Sequence, residues 1–483
     1  MALLVGLAFQ GTRGLKETSE TRYAECAREM IVSGNWMEPS LEFLPHWTKP
    51  PAAYWFTAAG MQVFGVNAWG ARLPGVVALL IATWCVGALG RRLWGERVGL
   101  VAGMAFALGF PVFGAYVVTT DIYLTAAEAL AGAAFVFAAT EADERKRRRF
   151  TYAMWAGWGL GFLIKGPPAL LPLLAMIPWN FLQPRARRVP LGHPLGLLCF
   201  AAVALPWYLV MLYRHPDLLD YYIGTEIVAR VASKAGHNSE WYKVLEIYGP
   251  VLLGACGAFG VWALVVAFGR GGWRRAAQWR ALWRARDARL LLVGWVVLPL
   301  IVFCLSRSKL HLYVLPLVVP LALIVGRVLA NRVSWRAFRN VTMASILVFV
   351  AIKGVAGHLT SRRDMAALSA EIRAELATRP PGTPIVFWDE ATNHGVTFYL
   401  GLGRDAVPER IAIGPKGKFE TWTPAEFRER VAAGLYPRGA VLVVSERKRA
   451  RFDEEMQGVA AVEVRRGRYW HLLGIAPATR GGS

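Results

Sequence analysis

The sequence predicts a mainly α-helical, polytopic membrane bundle of about eleven or more spans, followed by a small C-terminal α/β domain. Three observations carry that reading. Hydrophobic residues make up 55% of the 483 and aromatics 12%, more apolar surface than one soluble core can bury. Apolar stretches close to the roughly 20 residues that a membrane helix needs recur, as at 98–116, 194–212 and 340–356. The connections between these runs alternate between densely basic and mixed polar.

Residues 1–10 are apolar, too short to span and without a small-residue cleavage signal. Half of a first helix is expected there, with a short re-entrant or tilted anchor as the other reading. The basic connections hold Arg91, Arg92 and Arg97; Arg145, Lys146, Arg147, Arg148 and Arg149; then Arg185, Arg187 and Arg188. They continue with Arg270, Arg274, Arg275, Arg280, Arg284 and Arg286, and with Arg332, Arg336 and Arg339. Basic loops stay in the cytoplasm, so the other connections are expected outside: 11–69, the turns at Asp121 and Lys165, 213–246 and 306–311. Asp121, Lys165 and Lys309 are ions at the membrane edge, where charge is costly and usually functional. Their gathering on one side implies one active cavity.

From about residue 358 the composition becomes that of a soluble domain. The spacing predicts a helix over 361–378, strands at Ile385–Trp388 and 440–444, and a charged helix over 446–456. The expected division is therefore 1–357 as membrane core and 358–483 as the α/β domain. One crossing beyond the basic 332–339 segment places that domain outside.

The net charge of +22 does not indicate a nucleic-acid partner, because the basic residues sit between apolar spans rather than along a stripe with exposed aromatics. Five scattered cysteines, Cys26, Cys85, Cys199, Cys256 and Cys304, show neither a disulfide framework nor zinc spacing. Trp36, Trp47, Trp55, Trp207, Tyr221, Tyr222, Trp241 and Tyr242 read as interfacial anchors, and Pro167, Pro168 and Pro172 imply a kinked span.

The first outside loop reads Ser19-Glu20-Thr21-Arg22-Tyr23-Ala24-Glu25, then Gly34-Asn35-Trp36, then Thr48-Lys49-Pro50-Pro51 and Tyr54-Trp55. Downstream come Thr120-Asp121, Leu163-Ile164-Lys165-Gly166-Pro167, Leu205-Pro206-Trp207-Tyr208, Glu226 with Arg230, and Ser308-Lys309-Leu310 before Tyr313-Val314-Leu315-Pro316. In this order, over residues 15–330, the chain resembles the aminoarabinose transferase (ArnT-like) group of the protein O-mannosyltransferase superfamily. The resemblance implies a GT-C membrane glycosyltransferase with juxtamembrane helices in the first outside loop. It also implies a polyprenyl-phosphate sugar as donor, a lipid, glycan or protein as acceptor, and membrane lipid as surroundings. Such a protein would sit in the bacterial inner membrane and modify lipid A or another cell-envelope glycan.

A sugar leaving as polyprenyl phosphate places developing negative charge at the bilayer edge, where several cations would stabilise it. Arg22, Lys49, Lys165, Arg230 and Lys309 all fall on the outside face. By resemblance Lys49, Arg230 and Tyr313 hold the carrier phosphate, with Lys165 nearby. The other readings are snorkelling cations for Lys49 and Arg230 and an aromatic-belt anchor for Tyr313.

Glu20 and Asp121 are the candidate catalytic carboxylates, since an attacking hydroxyl has a proton to give up. The family's Asp-Glu pair is here Ser19-Glu20, so only the second carboxylate remains. Glu20 alternatively caps its helix or salt-bridges Arg22 or Lys16. Thr48 stands in place of the glutamate before Lys-Pro, and Ile227 follows Glu226 where a histidine is common. Those two positions supply a metal site in the aminoarabinose transferases, so no metal and no cofactor is predicted; His46, His215 and His237 read as solvated or interfacial. Two further classes stay open: a transporter or flippase of lipid-linked sugars, and a catalytically retired homologue that binds carrier lipid.

Overall fold

A computed structural model of the protein describes residues 1–220, 222, 224, 240, 242–268, 287–359, 361–390, 393–412 and 421–477. Six of its helices are long and apolar enough to cross a membrane: Ala68–Trp94, Thr120–Thr140, Pro194–Arg214, Ala288–Leu305, His311–Leu329 and Trp335–His358. A seventh is counted if Lys243–Leu253 and Gly257–Ala267, bent by 92°, form one span. The eleven spans expected from the sequence are thus not reached among the described residues. The stretch 98–116 shows one reason. Its helix Glu96–Ala107 stops at Leu108, and a separate turn, Pro111–Ala115, follows. The proline-rich stretch breaks in the same way, at Gly166 with φ of 73°, where glycine adopts a left-handed conformation without a Cβ clash. A 3-10 turn, Pro167–Leu170, and the helix Leu173–Leu182 follow the break.

Thr120–Thr140 is the central helix, with 89% of its apolar window buried against 22% for Pro194–Arg214. Its Ala-rich sequence explains the position, since small side chains let neighbouring backbones approach. A Cβ on Gly132 would lie 2.1 Å from the Trp295 ring, and one on Gly157 3.0 Å from Ala131. The peripheral helices expose leucines and valines instead, such as Leu198, Leu209, Leu347 and Val355, as an apolar surface solvated by lipid does.

The two ends of the bundle differ in charge. Arg92 donates to the Thr140 hydroxyl at 2.8 Å and to its carbonyl at 2.9 Å. Arg147 donates to the Ala186 carbonyl at 2.6 Å, and Arg97 to the Val333 carbonyl. The basic connections among the described residues therefore meet at one end. Thr120–Thr140 and Glu144–Lys165 run antiparallel between the ends, which puts Asp121 and Lys165 together at the other.

That second end is capped by the first long loop. Its helix Ser19–Ser33 ends at Gly34, φ 70°, and a two-residue hairpin follows, β1 (Ser40–Leu41) and β2 (Leu44–Pro45). Trp55 donates its indole N–H to the Trp36 carbonyl at 2.6 Å, and Trp207 donates to that of Met37 at 2.8 Å. Two of the expected interfacial aromatics thus also pin the loop to the bundle, an indole having an apolar body and one donor. Near the start of the chain, the buried Lys353 of the Trp335–His358 helix donates to the Val5 and Gly6 carbonyls at 2.9 Å each. These lie at the end of the helix Ala2–Leu7, where unpaired carbonyls attract a cation.

After Trp335–His358 comes a helix, Met365–Leu376, and a six-stranded sheet. The strands are β3 (Ile385–Trp388), β4 (Glu409–Ile411), β5 (Thr421–Trp422), β6 (Ala440–Ser445), β7 (Ala461–Arg466) and β8 (Trp470–Ile475). Their order is β5-β4-β3-β6-β8-β7, parallel from β5 to β6 and antiparallel beyond. The helix, β3 and β6 match the expected positions closely.

This sheet domain docks on the first loop. Glu42 is buried and accepts from Arg410 at 2.6 Å and meets His394 Nδ1 at 2.7 Å. Gly395 N–H donates to Glu17 at 3.1 Å, Leu15 N–H to the Tyr399 hydroxyl at 2.7 Å, and Arg28 to the Leu402 carbonyl at 2.9 Å. Burial pushes the Glu42 carboxyl upward, but the His394 hydrogen bond and the Arg410 charge bring it below its ordinary value. A lowered folded value means that the stabilisation is complete above the usual carboxylate range and is lost as pH falls through the folded value. Glu42→Gln leaves Arg410 buried without a counter-charge, a loss of about 3–5 kcal/mol for such pairs. The expected result is faster protease cleavage near residues 358–363 in the variant, and in the wild type on acidification. Unchanged cleavage would show that the ion pair does not hold the domain down.

Candidate active site

Two charged clusters occupy the end of the bundle beneath the first loop. The first is built around Glu20. Its carboxylate accepts from Arg13 at 2.5 Å and 3.2 Å, from Arg72 at 3.0 Å and 3.3 Å, and from the backbone N–H groups of Lys16 at 3.1 Å and Val118 at 3.2 Å. Arg72 comes up from the Ala68–Trp94 helix and also donates to the carbonyls of Gln10 at 2.7 Å, Arg13 at 3.0 Å and Gly14 at 2.9 Å. Arg13 donates to the Tyr116 carbonyl at 2.7 Å and lies 4.5 Å from the centre of its ring. Burial pushes the Glu20 carboxyl up, yet the charges and hydrogen bonds of Arg72 and Arg13 win and bring it to about 2.

A carboxylate so held has both oxygens committed and little affinity for a proton, which is the opposite of what a general base needs. The sequence makes Glu20 a catalytic candidate. In the structure its carboxylate is salt-bridged, with Arg13 and Arg72 as partners in place of Arg22 or Lys16. Neither Arg13 nor Arg72 stood out in the sequence, although an arginine early in an apolar span is costly unless fully paired.

The second cluster is built around Asp121 and Lys165. Asp121 lies in the first turn of Thr120–Thr140, and Lys165 is the last residue of Glu144–Lys165. Each charge is favoured by the dipole of its own helix end, and the two side chains form a buried ion pair. The Thr119 hydroxyl donates to the Asp121 carboxylate at 2.7 Å, which fixes one oxygen. Lys165 Nζ is 4.5 Å from the centre of the Tyr313 ring, so the ammonium is shared between a carboxylate and a π face. Tyr23 interacts electrostatically with Arg22, Asp121, Lys165 and Tyr313. The Arg22 guanidinium lies 5.3 Å from the Tyr23 ring centre, and its Nε is buried without a hydrogen-bond partner. Four residues predicted from separate loops, Arg22, Asp121, Lys165 and Tyr313, are therefore gathered around Tyr23. Tyr23 was legible only as part of the Thr-Arg-Tyr motif.

Lys49 precedes the helix Ala52–Phe64, half-buried, and donates to the Thr48 carbonyl at 2.8 Å. Lys309 is buried in the turn after Ala288–Leu305 and interacts electrostatically with Cys304. Arg230 lies outside the described residues, as do Glu226 and Ile227. Among the described residues no group of three or more His, Cys, Asp and Glu side chains could hold a metal ion. At Thr48 the donor is a neutral hydroxyl, 2.9 Å from His46 Nε2. It does not fit the carboxylate ligand of a metal site.

A model of the dolichyl-phosphate-mannose-protein mannosyltransferase family matches residues 48–213. ArnT from Cupriavidus metallidurans bound to undecaprenyl phosphate superposes with a TM-score of 0.80 at 20% identity, covering 100% of this chain and 98% of that one. The chain has an ArnT-like GT-C fold. In sequence, the undecaprenyl phosphate-alpha-4-amino-4-deoxy-L-arabinose arabinosyl transferase 2 of Pseudomonas fluorescens (strain Pf0-1) is 32% identical over 350 residues, 71% of this chain and 61% of the relative. The corresponding transferase of Erwinia tasmaniensis is 32% identical over 320 residues, 65% and 55% of the two chains. The ArnT-like chain thus spans about three fifths of the length of the curated relatives it matches. Asp121 and Lys165 lie within the 48–213 stretch matched by the family model, and Glu20 lies before it.

Proposed function

We propose that this ArnT-like protein is a glycosyltransferase that takes a sugar from a polyprenyl-phosphate carrier and passes it to a lipid, glycan or protein acceptor. The observation that carries the reading is the gathering of Arg22, Tyr23, Asp121, Lys165 and Tyr313 from separate elements at one end of the bundle. Supporting it, the similar ArnT from Cupriavidus metallidurans binds undecaprenyl phosphate. The chain would act as a multi-pass protein of the bacterial cytoplasmic membrane. Its site and the 358–483 domain would face the periplasm or cell exterior, and the basic end the cytoplasm.

In the proposed reaction an acceptor oxygen attacks the anomeric carbon, and the bond from that carbon to the carrier phosphate breaks. The bonding electrons leave with polyprenyl phosphate. Lys165 and Arg22, with Lys49 and Arg230, meet the developing phosphate charge, the arginines offering two donors to two oxygens. Tyr313 orients Lys165. Asp121 accepts the acceptor's proton or positions the acceptor, because Glu20 is already occupied. No step passes through a metal.

A second reading, a carrier-binding homologue without transferase activity, is favoured by Ser19 and by the commitment of both Glu20 oxygens. One experiment separates the two. The purified protein, given a panel of polyprenyl-phosphate sugars, should transfer sugar to membrane acceptors or slowly hydrolyse the donor. Binding without turnover selects the second reading, and inertness in both assays rejects the two together.

A further inference from the structure

The C-terminal sheet carries a second cationic cavity, remote in sequence from the carrier site. It measures about 390 Å³ and is lined by Ser361, Arg362, Arg363, Ser445, Glu446, Arg447, Arg468 and Tyr469. Four arginines and one carboxylate line it, and that carboxylate is engaged by His471.

The cavity is held by fixed backbone rather than by loose loops. The Arg363 carbonyl accepts from Glu17 N–H at 2.9 Å, the Arg362 carbonyl from the Trp470 indole at 3.3 Å, and the Tyr469 carbonyl from Glu446 N–H at 2.9 Å. Ser445, the last residue of β6, is only 1% exposed, and its hydroxyl has no hydrogen-bond partner. A buried hydroxyl left unpaired costs free energy, and one at the wall of a cationic cavity is a ready donor to an anion. The cavity lies just beyond the carboxyl end of β6, where the chain enters β8 through Arg468 and Tyr469.

We infer that this cavity is a binding site for a phosphate group, held by Arg362, Arg363, Arg447 and Arg468 with the Ser445 hydroxyl as an additional donor. Three residues separate the end of the Trp335–His358 helix from Arg362. A phosphate carried on a lipid headgroup therefore comes within reach, and free phosphate is the other source of the same chemistry. The site is independent of the transferase reading.

The test uses the full chain in nanodiscs of phosphatidylcholine doped with phosphatidic acid, with retained lipid measured by native mass spectrometry. Arg447 and Arg468 are exposed, so a double variant R447A/R468A should fold normally. It is expected to retain about tenfold less phosphatidic acid than wild type, the scale of two charge-assisted contacts. The S445A variant should show an intermediate loss. R145A/R149A, at the basic end, should behave as wild type, since lipid held at the carrier site is common to every variant. Added inorganic phosphate that displaces the lipid would show that the phosphate group alone is recognised; no displacement would show that the lipid-borne form is required. Equal retention by wild type and R447A/R468A, or an equal loss in R145A/R149A, would overturn the proposal.

Discussion

Glu20→Gln is expected to unfold the end of the bundle beneath the first loop rather than to slow a chemical step. Two buried guanidinium groups, those of Arg13 and Arg72, share this one carboxylate, and removing a partner from a buried ionic cluster costs about 3–5 kcal/mol. Arg72 also supports three carbonyls of the 10–14 segment, so the first loop should loosen with it. Thermal denaturation in detergent should show a lower midpoint, and hydrogen exchange should rise across residues 10–33. The pH dependence follows from the same pair. The carboxyl falls from 4.5 to about 2 on folding, so its stabilisation is whole above pH 4.5 and is lost as pH falls toward 2. A Glu20→Gln protein with normal stability and greatly reduced turnover would return Glu20 to the catalytic list.

Asp121→Asn should do the reverse. The amide keeps the size of the carboxylate and its contact with Thr119, and the buried Lys165 keeps the Tyr313 ring beside it, so the loss of stability should be smaller than in Glu20→Gln, where two guanidinium groups lose their shared carboxylate. Turnover should fall by about 10²–10⁴-fold, the usual worth of a positioned acid or base, with donor affinity changed much less. Lys165→Met would instead weaken donor binding, because the missing ammonium faces the phosphate in the proposed complex. Binding of a fluorescent polyprenyl phosphate and single-turnover transfer, measured on the same preparations, separate the two effects. Wild-type turnover in Asp121→Asn would remove the central carboxylate from the mechanism.

Much of this site was legible because charge in an apolar chain is conspicuous. Asp121 and Lys165 stood out as ions at span edges, and the alternation of basic connections placed them on one side. The fold brings them into contact at opposite helix ends. Lys353 and Arg72 escaped notice because each sits within an apolar run and is fully buried. What makes such a residue tolerable is a set of backbone carbonyls distant in sequence, and periodicity carries no information about those. The count of eleven spans is not reached among the described residues for a related reason. Hydropathy cannot see that Leu108 to Pro111 breaks one apolar stretch, nor that Gly166 turns another. In the sheet, β3 and β6 are continuous apolar runs, whereas the edge strand β7 is mostly exposed and ends in Arg465 and Arg466, so it lacks the alternation by which strands are recognised.

The bond from Lys353 to the Val5 and Gly6 carbonyls bears on biogenesis. The amino-terminal helix of six residues has no partner for those carbonyls until a side chain nearly 350 positions later has entered the bilayer. During synthesis these two carbonyls therefore gain this partner only after the Trp335–His358 segment has left the ribosome. The bundle closes like a clasp, with residues 5 and 6 caught by one of its later segments.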